Sequence, residues 1–104
     1  MEDHFEVTWM PAAKRNLREI REYLSRHQQS AVDIVLDTIS DHVAMLPAWP
    51  HRGEIFRRLN GVVIRETLAG SYRVLFRLDE AERLIEILRV WHMSRDEPDL
   101  FNFE

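Results

Sequence analysis

Three features of the sequence predict an α+β fold: an alternating apolar segment at its start, two segments of helical periodicity before residue 47, and period-two segments after residue 61. The predicted order is strand, helix, helix, then three strands. Such an order places an N-terminal strand before a two-helix antiparallel hairpin, and the hairpin on one face of a sheet whose last three strands form an antiparallel meander.

Each element has a local reason. In HFEVTWM, Phe5, Val7 and Trp9 point one way and Glu6 and Thr8 the other, as in a half-buried strand. Pro11 ends it and suits the first position of a helix, where a missing N–H costs nothing. In PAAKRNLREIREYLSRH, Ala13, Leu17, Ile20 and Leu24 recur along one helical face. QQS is a short break, with Ser30 placed to cap a second helix. In that helix Val32, Val35, Leu36, Ile39, Val43 and Leu46 form a broader stripe, which Pro47 and Pro50 end. AWPHRGEIFRRLNG reads as an irregular connection. VVIRETLAG reads as a strand ended by Gly70. In YRVLFRLD, Tyr72, Val74, Phe76 and Leu78 share one face, and Arg73, Leu75 and Arg77 the other. DEAE is a turn. RLIEILRVWHM is apolar on both faces, with Leu84, Leu88 and Val90 on one and Ile85, Ile87 and Trp91 on the other, as in a central strand.

A chain of 104 residues with 45% hydrophobic and 31% charged side chains suits one globular domain, taken as residues 1–95. The remaining residues, 96–104, form an acidic tail. With no cysteine, disulfides and thiolate metal sites are excluded. No histidine pair has helical metal-binding spacing, so neither metal nor cofactor is expected. No apolar run approaches a membrane span and the acidic N-terminus lacks a signal-peptide pattern, which predicts a cytoplasmic protein.

The net charge of −4 is unevenly distributed. Residues 1–50 carry five basic and eight acidic side chains, residues 51–95 nine arginines against six acids, and the tail four acids. Arginine makes up all but one of the basic residues, and its rigid fork matches carboxylates and phosphates. An arginine-bearing sheet face therefore fits an anionic partner.

The opening VTWMPAAKRNLREIREYL, the LPAWPHRG after the second helix and the ending YRVLFRLD…LIEILRVWHMSRD together resemble the RelE/ParE superfamily of bacterial toxins from type II toxin–antitoxin operons. The resemblance runs from about residue 5 to residue 96. It implies growth inhibition by one of two routes: RelE-like members cut mRNA in the ribosome, and ParE-like members bind DNA gyrase without nuclease activity. It also implies a hetero-oligomer with a cognate antitoxin. A third reading is an inactive relative that only binds an antitoxin.

For a nuclease, His92 would be the acid or base, with Arg65 and Arg73 clamping the phosphate. The lysines that RelE-like members bring to the site are missing: only Lys14 is present, in the first helix. An isoelectric point near 5.7 also argues against a binder of ribosomal RNA. The favoured reading is therefore the ParE-like one, with Arg65, Arg73, Arg77, Trp91, His92 and Arg95 as partner-binding residues. Purely structural roles stand beside these. His92 can bond a backbone carbonyl or Asp96, Arg73 and Arg77 can pair with Glu66 and Glu86, and Trp9, Trp49 and Trp91 can be packing residues.

Overall fold

The computed structural model describes residues 4–59 and 62–95, and the predicted tail lies outside them. Strand β1 (Glu6–Trp9) leads into helix α1 (Pro11–His27). A single turn of 3-10 helix at Gln29–Ala31 connects it to α2 (Val32–Ala44). Four strands follow: β2 (Glu54–Leu59), β3 (Val62–Ala69), β4 (Tyr72–Asp79) and β5 (Leu84–His92). The sheet order is β1-β5-β4-β3-β2, with β1 parallel to β5 and every other pair antiparallel.

The meander thus has four strands where three were expected. Residues 54–59, read as irregular, pair with β3 from Glu54 opposite Glu66 to Leu59 opposite Val62. Their period-two signal is broken by a bulge between Ile55 and Arg57, which removes the alternation on which a strand is recognised.

The helical hairpin covers one face. Ala13, Ile39, Val43 and Leu46 pack there on Val74, Phe76, Ile85, Ile87 and Val90. Leu17 and Ile20 border this core and Leu24 is buried, as the helical stripe predicts. The opposite face carries a smaller cluster of Ile64, Leu75, Leu88 and Trp91, flanked by Met10 and Phe56.

The faces of β5 differ from the simple alternation. Ile87 lies opposite Phe76 and Arg89 opposite Leu75, so Leu88 is an extra residue in β5. One inserted residue reverses the side on which all later side chains emerge. Val90 therefore joins Ile85 and Ile87 under the helices, and Trp91 joins Leu88 on the other face.

β1 pairs with β5 only as far as Ile87. Beyond it the Asn16 side chain takes over, accepting the Val90 N–H at 2.9 Å. A polar residue of α1 thereby satisfies a backbone donor that would otherwise be left without an acceptor where the parallel pairing stops.

Candidate partner-binding site

The arginines singled out in the sequence do not converge on one point. Arg65 lies opposite Phe76 on the helix side of the sheet. Its guanidinium donates to the carbonyl of His51 at 2.6 Å, and more weakly to those of Arg52 and Gly53. It thereby fixes the connection between α2 and β2. Arg73 lies opposite Trp91 on the other face, so Arg65 and Arg73 do not form a common clamp.

On that second face the cations are matched by acids. Arg73 donates to Glu66 at 2.9 Å, and Arg77 to Glu86 at 2.8 Å and Asp79 at 3.4 Å. Both pairings with glutamate are those the sequence offers as the structural role. Arg73 also lies 5.7 Å from the Trp91 ring centre, and Arg57 5.4 Å from that of Phe56, with the two aromatic rings meeting edge-on. The row Arg57–Phe56–Trp91–Arg73 is a packed layer of cations and ring faces. Trp91 is buried in it, whereas Trp49, expected to pack, is exposed.

His92 ends β5 beside Tyr72, ring edge to ring face at 5.2 Å between centres. Its Nδ1 accepts from the Ser94 N–H at 3.1 Å and lies 2.8 Å from the Ser94 hydroxyl. Accepting at Nδ1 leaves Nε2 as the protonated nitrogen of the neutral ring. Asp96, its suggested partner, lies outside the described residues. Arg95 is exposed, and its carbonyl accepts the Trp91 indole N–H at 3.3 Å.

The basic rim with open access is elsewhere. A cavity of about 460 Å³ runs along the helical hairpin, with Trp9, Leu17 and Leu36 as its apolar floor and Lys14, Arg18 and Arg21 along it. All three cations are exposed and make no ion pair among the described residues. Their spacing puts them on the flank of α1 next to its apolar stripe, and that adjacency was readable from the sequence.

A second histidine, His42 of α2, bonds the buried Thr67 hydroxyl through Nε2 at 2.8 Å. Burial, and secondarily the Arg52 charge, hold its pKa below the usual histidine value.

Comparison with known proteins gives the decisive observation. Residues 7–97 match the family model for the ParE toxin of the type II toxin–antitoxin system parDE. The chain belongs to the ParE toxin family. Solved structures agree with that placement in fold. Similar to this ParE-family chain are one from the chromosomal ParDE system of P. aeruginosa, at 17% identity and a TM-score of 0.67 over 88% of this chain and 98% of that one. Another comes from the RelBE2 toxin–antitoxin complex of Mycobacterium tuberculosis, at 26% identity and 0.56 over 88% and 94%. A third comes from the archaeal RelE–RelB complex of Pyrococcus horikoshii, at 13% and 0.63 over 89% and 99%. No curated protein matches the chain. No helix among the described residues is long and apolar enough to cross a membrane.

Proposed function

We propose that this ParE-family toxin acts in the cytoplasm by binding DNA gyrase rather than by cutting RNA, and that a cognate antitoxin neutralises it. The observation that carries this reading is the commitment of its sheet arginines. A nuclease site needs cations free to meet a crowded phosphate next to a proton donor or acceptor. Here Arg73 and Arg77 are neutralised by Glu66 and Glu86, and Arg65 is turned to the other face. The lone lysine, Lys14, lies on α1. These features support a binding surface, with His92 and Arg95 following the buried Trp91 at the end of β5 as its accessible part.

The antitoxin fits the groove along the helical hairpin. An amphipathic segment would set apolar side chains on Trp9, Leu17 and Leu36 and carboxylates against Lys14, Arg18 and Arg21. The alternative is an endoribonuclease of the RelE kind, with His92 as proton donor or acceptor. It is kept because the RelBE2 chain has 26% identity to this one.

Purified protein added to a supercoiling reaction and, separately, to a translating extract tests the proposal. Inhibited supercoiling with intact message is the expected result. Cleaved message with unaffected gyrase would refute it.

A further inference from the structure

With 3.6 residues per turn, Ile34, Thr38 and Met45 share a flank of α2 opposite to Leu36 and Ser40, which belong to the hairpin groove. That flank stands beside the end of β3. His42 bonds Thr67 there, and a Cβ on Gly70 would lie 3.5 Å from the Thr38 methyl. Beyond α2 the connection to β2 is held in place. The Trp49 N–H donates to the Leu46 carbonyl at 3.0 Å, and Arg65 holds the carbonyls of His51, Arg52 and Gly53. Gly53, at a φ of +83°, passes so close to β3 that a Cβ would sit 2.1 Å from the Glu66 carbonyl oxygen. Trp49 and Arg52 are thereby presented by a pinned loop.

Four of the seven large hydrophobics exposed among the described residues gather on this side: Met45, Trp49, Leu68 and Met93. Trp49 is 56% exposed and Leu68 49%. Two adjoining cavities share Arg52, one of about 490 Å³ beside Trp49 and Pro50, the other of about 440 Å³ lined by Leu68, Met93 and Glu54. Tryptophan, methionine and arginine are the side chains enriched where proteins meet. The charges are the second feature. Arg52 lies 5.9 Å from the Trp49 ring centre and makes no ion pair among the described residues, and neither does Glu54, two residues on. Arg73 and Glu66, in the same cavity wall, neutralise each other. The face thus offers one uncommitted cation and one uncommitted acid, side by side.

We propose that this face binds a second copy of the chain about a two-fold axis. A contact of that kind is made by one patch with itself, so the patch has to be self-complementary. This one is, in charge and in relief. Rotation sets Arg52 of each copy against Glu54 of the other, whereas a strongly charged partner gains nothing from a face whose charges cancel. The same rotation sets the exposed Trp49 of each copy against the cavity between Leu68 and Met93 of the other. The hairpin groove lies on the opposite flank of α2 and stays open, so the pair presents two such grooves.

Sedimentation of the full chain, diluted from about 1 mM to about 1 μM, reads the association. The expected mass at the concentrated end is twice the 12.5 kDa of one chain. Trp49→Ser should weaken the pair about 30-fold, as loss of an interface anchor does. Arg52→Glu and Glu54→Arg should each weaken it about tenfold, because each sets like charges across the axis. The double variant, Arg52→Glu with Glu54→Arg, should restore the native affinity. Urea midpoints that match the native chain report that the variants are folded. The mass of a single chain at every concentration would leave the face to a different protein and overturn the proposal. A pair that none of these variants weakens joins through another face and overturns it too, as does a pair that the charge exchange fails to restore.

Discussion

Arg73 donates to Glu66 at 2.9 Å between neighbouring strands, on the face turned away from the helices. The sequence offers Arg73 as either a phosphate ligand or half of a cross-strand pair, and this contact makes it the second. The side chains are 32% and 19% exposed, so the pair is partly screened and contributes modestly to stability. Its larger effect is to cancel a charge that a nucleic acid would otherwise meet.

Glu66→Gln should separate these two effects. Stability is expected to fall by no more than about 1 kcal/mol in a urea titration. Retention on a heparin column should increase, because Arg73 is released. A variant with unchanged retention would mean that Arg73 is not accessible to polyanions even when unpaired.

Asn16→Ala should cost more than the surface pairing does. It leaves the Val90 N–H without its acceptor where β1 has ended. An unsatisfied buried donor costs about 1–3 kcal/mol, read as a lower urea midpoint at unchanged slope. A loss below a few tenths would show that water replaces the side chain there.

How much was legible in the sequence follows from residues such as these. The helical stripes and β4 alternation are regular, so Leu24, Ile39, Val74 and Phe76 were placed in the core by period alone. β2 and the far end of β5 each contain an extra residue, Phe56 and Leu88, and a period-two reading has no means of seeing an insertion. Pairing of Arg73 and Arg77 with Glu66 and Glu86 was readable because both arginines alternate with apolar residues and so share one face of β4. The opposite orientation of Arg65 was not, since it depends on which residue of β3 faces Phe76. Asn16 carried no signal in sequence, because its partner is a backbone group 74 residues away.

His42 makes stability depend on pH. Its pKa is lowered in the folded chain, by burial first and the Arg52 charge second. The unfolded chain, with a histidine pKa near 6.5, therefore takes up the proton first as pH falls. The contribution is fully present above about pH 6.5 and is lost as pH drops toward the folded value. Thermal melts at pH 7.5 and 5.5 should show a smaller pH difference for His42→Gln than for the native chain. Equal differences would contradict the assignment.

The helical groove makes a prediction about the antitoxin. Arg18→Glu with Arg21→Glu reverses two exposed charges beside Leu17 without touching the core. Affinity for the antitoxin should fall, and the loss should be larger at low salt, where exposed charges are least screened. Arg65→Glu with Arg73→Glu should instead act mainly on stability, because both side chains are internally bonded. If calorimetry at two salt concentrations shows the second pair controlling affinity, the docking surface is the sheet and not the hairpin.

Toxicity by binding and toxicity by catalysis part at His92. His92→Gln nearly keeps size while removing the group that could exchange a proton. The most direct measurement is the concentration of protein that half-inhibits gyrase supercoiling, for the native chain and for this variant. Loss of one hydrogen bond, about 0.5–1.5 kcal/mol, predicts a shift of about tenfold at most. A native chain that leaves gyrase untouched but cuts message at codon boundaries, with His92→Gln abolishing the cut by a factor of about 100 or more, would contradict the account.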